Sequence, residues 1–168
     1  MRKITQKNLN EILELHKLWL LDNTKGKKAN LSFTDLSNTD LSNTDLSNSD
    51  LKFTNLIYAN LKRANLSNSN LNNAYLNNAN LGFTDLSNTD LRNTILINTD
   101  LSFAKNILLF QKPNGRICYA VKHTNCIMIQ AGCFWGTIDE FEQDGIKKYG
   151  DDIKQNYQPQ VQYLKSIF

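Results

Sequence analysis

The residues of this 168-residue chain whose types could carry chemistry are three cysteines, two histidines and a recurring set of aspartates. Cys133 stands out, inside Gly132-Cys133-Phe134-Trp135-Gly136 and four residues before Thr137-Ile138-Asp139-Glu140. That tetrapeptide is a capping-box pattern and predicts the start of a helix. A thiol held near a helix N-terminus is more acidic and can act as a nucleophile. Packing is the competing use, because Phe134 and Trp135 would serve equally well as an apolar plug around an inert thiol. Cys118, Cys126 and Cys133 form no CxxC pair and leave an odd count, as expected of free thiols in a reducing compartment. His16 and His123 stand far apart with no metal-ligand spacing to the cysteines. His16 and Trp19 read as packing residues, and no Gly-rich phosphate loop is present. These residues therefore imply no catalytic site, no cofactor and no metal.

Most aspartates fall in phase with a repeat, and that repeat decides the architecture. Leucine recurs every five residues: Leu31, Leu36, Leu41, Leu46, Leu51, Leu56, Leu61, Leu66, Leu71, Leu76, Leu81, Leu86, Leu91, Leu96 and Leu101. Two residues before each stands Ala, Ser or Thr, from Ala29 to Thr99. One residue before is Asp or Asn, except at Tyr75 and Ile95. A period of five scatters side chains around an α-helix, turning each by about 140° from the last. On a flat strand it alternates them between faces. It works when the chain turns a corner in every repeat, so that all leucines point at one axis. The Ser and Asn residues between leucines are suited to such corners. Burying each leucine contributes roughly 2 kcal/mol before entropy is counted, so the fifteen leucines are the expected structural core. Disorder of an Asn/Ser-rich tract would not require leucines in phase.

This pattern resembles the pentapeptide-repeat family, whose repeat reads roughly A-(D/N)-L-X-X, over residues 29–103. The resemblance implies a mainly β fold, a right-handed quadrilateral β-helix with four pentapeptides per coil. Phe33 and Phe53, Phe83 and Phe103, and Tyr75 and Ile95 are each twenty residues apart, in keeping with a 20-residue coil. Thr in place of Ala at the small position is a departure expected to widen or tension the corners.

An open solenoid exposes apolar side chains and unpaired strand edges at its ends, so caps are expected. Thr5 to Leu21 reads as an amphipathic helix with Thr5 as N-cap and Leu9, Ile12, Leu13, His16 and Leu20 on one face. Gly26 and the lysines around it end that helix. After Asn106, strands are expected over 107–110, 117–121 and 126–130, the first two joined by a turn at Lys112-Pro113-Asn114-Gly115. A helix follows from Thr137, interrupted or ended at Gly145 and Gly150. A last helix starts near Asp151 or Asp152, broken at Pro159. The expected organisation is an N-terminal helical cap over 1–28, the solenoid over 29–105, and a small mixed α/β segment over 106–168 that serves as cap or self-association element.

Taking four repeats per coil, one face carries Ile57, Tyr58, Tyr75, Ile95 and Ile97, where neighbouring faces carry Asn, Ser and Asp. Large apolar residues on an otherwise polar surface mark a contact, either with the chain's own C-terminal segment, a second copy or a foreign protein. The face after Leu46, Leu66 and Leu86 is solvated surface. A net charge of +3 gives no basis for direct nucleic-acid binding. The first seven residues lack the apolar core of a secretory signal and no stretch is long and apolar enough to span a membrane, so a cytoplasmic protein is expected, and the family resemblance implies a bacterial or prophage origin.

The expected function is a non-enzymatic scaffold or protein–protein interaction module with an unknown protein partner or a homodimeric one. Some pentapeptide-repeat proteins protect DNA gyrase by mimicking DNA, which makes that activity an alternative. It needs a strong, continuous negative field, whereas residues 29–103 carry seven aspartates against four basic residues. The Gly132–Gly136 string is similar to the nucleophile motif of peptide methionine sulfoxide reductases, which makes thiol chemistry at Cys133 a remote alternative. That family surrounds its motif with well over a hundred residues of α/β fold. Here only 35 residues follow Cys133.

Overall fold

The computed structural model describes residues 1–111, 117–123, 126–131, 134–149 and 158–167. It divides into two compact units, Met1–Lys105 and Asn106–Phe168.

In the first unit, parallel bridges join each position before a leucine to the one twenty residues on. Examples are Asn30 with Asp50, Asn60 with Asn80, and Asp85 with Lys105. Twenty residues thus make one coil of a β-helical solenoid. Each rung is short: the Asn60 N–H donates to the Thr39 carbonyl at 2.9 Å and the Leu61 N–H to the Asn80 carbonyl at 2.7 Å. Leu31 to Leu91 are fully buried, whereas Leu96 and Leu101 are half-buried.

Each corner is made two residues after the leucine, where every residue from Phe33 to Phe103 has φ between 55° and 63°. This left-handed region costs an L-residue roughly 1–2 kcal/mol, least for Asn, whose short amide bonds locally. Asn accordingly fills most corners, and Phe33, Phe53, Tyr58, Arg63, Phe83 and Phe103 are the exceptions. The Asp or Asn before each leucine accepts a hydrogen bond from the backbone N–H two residues on, as Asp45 does from Ser47 at 2.9 Å and Asn80 from Gly82 at 2.9 Å. Such Asx turns explain this residue choice.

The threonines at the small position have a role that the sequence did not suggest. Their hydroxyls join coils. The Oγ1 atoms of Thr54, Thr84, Thr89, Thr94 and Thr99 donate to the carbonyls of Leu31, Leu61, Leu66, Leu71 and Leu76, each in the preceding coil, at 2.8–2.9 Å. In the first coil there is no earlier coil to reach. Thr39, Thr44 and Ser49 instead donate to Leu36, Leu41 and Leu46, three residues back in the preceding repeat.

Ahead of the first coil, β1 (Arg2–Lys3) pairs in parallel with β2 (Thr34–Asp35). It is followed by α1 (Gln6–Leu21), whose N-cap Thr5 accepts from the Asn8 N–H at 3.2 Å. Leu9 and His16 are its buried residues. His16 Nδ1 accepts the Ala29 N–H at 3.2 Å, so the neutral imidazole carries its proton on Nε2. That Nε2 lies near the Ser47 backbone without a hydrogen bond of normal geometry. Burial lowers the His16 pKa below its ordinary 6.5, against opposing effects of the Ser47 backbone and Asp45. Protonation therefore favours the unfolded chain. The stability that neutral His16 contributes is complete above about pH 6.5 and is lost as pH falls below it. Chemical denaturation between pH 7.5 and 5 should show this loss, and His16→Leu should flatten it. Asp35 and Asp100, held below the usual carboxylate range by the side chains and backbone of Ser37 and Ser102, lose their contribution only below about pH 4.

The second unit holds an antiparallel sheet in the order β3 (Ile107–Gln111), β4 (Ile117–Lys122), β5 (Ile127–Ala131), β6 (Phe134–Thr137). Among the described residues two helices follow, α2 (Ile138–Tyr149) and α3 (Gln158–Ile167). Cys118, Ala120 and Ile129 pack with Ile138 and Phe141 of α2 and Val161 and Leu164 of α3 into one core. The capping box forms: the Thr137 N–H donates to Glu140 Oε2 at 2.7 Å and the Glu140 N–H to Thr137 Oγ1 at 3.2 Å. Lys165 ties the helices together through Asp139 at 2.6 Å and Glu142 at 3.0 Å. Two sequence expectations change. Helix α2 runs through Gly145, since one interior glycine costs only about 1 kcal/mol. Pro159 stands in the first turn of α3, where its missing N–H would have had no helical partner.

Candidate interaction surface

The twenty-residue coil places the five apolar candidates on one side of the first unit. Tyr75 and Ile95 are bridged neighbours, following Asp35 and Asn55 in one column. Ile57 and Ile97 share the next column with Asn77 between them, so they stand roughly 10 Å apart at the usual strand spacing. Tyr58 occupies the adjoining corner, at φ 59°. Tyr58 and Ile97 are about 60% exposed and Tyr75 and Ile95 somewhat under 40%, while Ile57 is half-buried.

Tyr75 and Ile95 stand where an Asx residue otherwise caps its turn. At each of the other repeats that residue accepts from the N–H two positions on. Tyr and Ile have no acceptor for that bond, and both are displayed to solvent in adjacent coils. The chain forgoes two turn hydrogen bonds, each worth about 1 kcal/mol, to present apolar surface in one place.

The opposite side is polar, and exposed phenylalanines stand at the two corners between. The corner opposite Tyr58 carries an Asn column, with Asn88 Nδ2 donating to Asn68 Oδ1 at 3.2 Å. Asp50 pairs with Lys52 at 3.4 Å and Asp90 with Arg92 at 2.7 Å, which breaks the negative charge of the solenoid into local pairs. Sequence reasoning used the phenylalanine spacing only as a sign of period. It missed that Phe33 stacks on Phe53 with ring centroids 4.8 Å apart, and Phe83 on Phe103 at 4.9 Å. Arg63 adds its guanidinium 5.8 Å from the Phe83 ring. Bulky residues at left-handed corners, repeated after twenty, are the signal for such exposed stacks.

Of the cysteines, Cys118 is buried in the core of the second unit and Cys126 is half-buried. Gly132 and Cys133 lie outside the described residues, and with them the thiol chemistry considered for Cys133. Among the described residues no group of His, Cys, Asp and Glu is arranged to hold a metal ion, and no helix is long and apolar enough to cross a membrane.

A coil of twenty residues, a leucine interior and Asx-capped corners define a pentapeptide-repeat solenoid. The family model for pentapeptide repeats matches this chain in eight copies, over 21–43, 27–57, 34–73, 44–82 and 74–105, and the chain belongs to that family. No curated protein sequence matches it. Among solved structures it is similar to the pentapeptide repeat protein Rfr23 of the cyanobacterium Cyanothece 51142, at 36% identity over 44% of this chain and 47% of that one, with a TM-score of 0.30. It is also similar to a pentapeptide repeat protein of the Arabidopsis thaliana thylakoid lumen, at 33% identity over 42% of this chain and 52% of that one, TM-score 0.23. A third is HetL, involved in heterocyst differentiation regulation in Nostoc, at 32% identity over 44% and 43%, TM-score 0.20. The chain spans about half the length of these proteins.

Proposed function

We propose that this chain is a non-enzymatic protein–protein interaction module whose working surface is Ile57, Tyr58, Tyr75, Ile95 and Ile97. In this reading the solenoid over 29–105 is a right-handed quadrilateral β-helix. Residues 1–28 cap its start, and 106–168 serve as a second cap or self-association segment. The observation that carries the proposal is the replacement of the turn-capping Asx by exposed Tyr75 and Ile95 in consecutive coils. Flat apolar surface ringed by Asn and Ser suits a protein partner, which supplies the matching apolar area. It does not suit nucleic acid, which needs basic residues against its phosphates.

An Ile57→Lys/Tyr58→Lys variant tests this reading. It should retain the circular dichroism and Tm of the wild type and lose a partner that the wild type retains in an affinity pull-down. Identical pull-downs from both proteins would overturn it. The gyrase-protecting alternative finds no support in the balance of seven aspartates against four basic residues or in the local ion pairs that neutralise two of those aspartates. Gyrase supercoiling is accordingly expected to be unchanged at micromolar protein, and dose-dependent loss would restore that alternative.

A further inference from the structure

Beside α1 and the first coil the structure has an open cavity of about 500 Å³, a volume typical of small-molecule sites. Its walls include Ile12 and Leu15 of α1, Phe33 of the first corner, and three cations, Arg2, Lys27 and Lys28. The apolar part is unpartnered: Leu15 is 37% exposed and Phe33 52%. Phe33 stacks on Phe53 with an interplanar angle of 10°, which leaves its second face for another ring. Among the described residues no carboxylate pairs with Arg2, Lys27 or Lys28, the nearby Asp22 being engaged by Lys25. Lys28 has only the Trp19 ring, 5.8 Å from its Nζ.

The position of these groups is built rather than incidental. Gly26, at φ 67°, packs so closely on α1 that an added Cβ would lie 2.2 Å from the Leu15 carbonyl oxygen. The following Lys27 N–H donates to that same oxygen at 2.9 Å. The lysine pair is thereby held against α1. The Arg2 N–H donates to the Phe33 carbonyl at 2.7 Å, which fixes Arg2 beside the aromatic floor.

We infer that this cavity binds a small aromatic phosphate monoester, its ring on Phe33 and its phosphate among Arg2, Lys27 and Lys28. Three uncompensated positive charges favour a dianion over a single carboxylate. Stacking on an aromatic face adds attraction that a bare anion cannot use. Nucleoside monophosphates belong to this ligand class.

Titration calorimetry of the full chain at low salt, with phenyl phosphate as the probe, tests the inference. The expected result is a Kd of about 1 mM or tighter, with inorganic phosphate and butyl phosphate at least about tenfold weaker. Phe33→Asn installs the residue found at most other corners, so it removes the ring and keeps the corner. It should weaken phenyl phosphate at least about tenfold, bringing it to the level of butyl phosphate. Lys27→Glu changes an exposed side chain and should weaken both organic phosphates. Binding that Phe33→Asn and Lys27→Glu leave unchanged would overturn the inference. So would inorganic phosphate binding as tightly as phenyl phosphate, or no heat with phenyl phosphate at about ten times the expected Kd.

Discussion

Leu61→Ala is expected to destabilise the first unit by about 3 kcal/mol, within the roughly 2–5 kcal/mol seen for buried leucines. Leu61 is fully buried in the middle coils, in one column with Leu41 and Leu81. Its N–H donates to Asn80 at 2.7 Å, and its carbonyl accepts the Thr84 hydroxyl at 2.8 Å. Those bonds hold the backbone in place, so the coils cannot close over the missing side chain and a cavity remains. Because a solenoid is stabilised by nearest-neighbour stacking, a weak central coil uncouples the coils on either side. The thermal midpoint should fall by roughly 6–12 °C for a chain of this size. Leu101→Ala is the control: Leu101 is half-buried in the last coil and should cost less than half as much. Equal effects at the two positions in paired thermal melts would contradict the stacked-core description.

Gly26→Ala should release α1 from the first coil. The added Cβ would lie 2.2 Å from the Leu15 carbonyl oxygen and 2.9 Å from the Trp19 nitrogen, both backbone atoms of a helix and unable to yield. The φ of 67° adds the usual penalty for a left-handed residue with a side chain. Together these should exceed about 3 kcal/mol, more than the local hydrogen bonds can offset. The loop from Lys25 to Lys28 would lift away, and the His16 bond to the Ala29 N–H would go with it. Hydrogen exchange should show lost protection over α1 and at Ala29, with the amides of the later coils unchanged. Wild-type protection at Ala29 in the variant would show that the loop tolerates the methyl group.

The solenoid could be read from the chain because its signal is redundant. Fifteen leucines in phase outweigh any single irregular corner, and the Asx before each leucine has a local role that a sequence displays directly. The Thr5 cap and the Thr137–Glu140 capping box were equally legible, since both are hydrogen bonds within four residues. The role of the threonines was not. Their hydroxyls bond 23 residues back, a relation visible only once the coil is closed. Strand β6 was missed because Phe134 and Trp135 read as packing residues and the strand is short. The candidate face was legible as a list of positions twenty apart, but not the Asx turns lost there. The cavity beside α1 was not legible at all. It depends on how closely Gly26 approaches Leu15, whereas in the sequence Gly26 signals only a helix stop.

The central claim is that the strip around Tyr58 is the surface through which this protein meets another protein. The most direct test places a photo-reactive benzoylphenylalanine at Tyr58, a corner where aromatic residues already sit, and at Asn68 on the opposite corner as control. After irradiation in cells, adduct formation at position 58 and none at position 68 is the predicted result, whether the captured protein is a second copy or a different one. Equal labelling at both positions, or none at position 58, would contradict the claim.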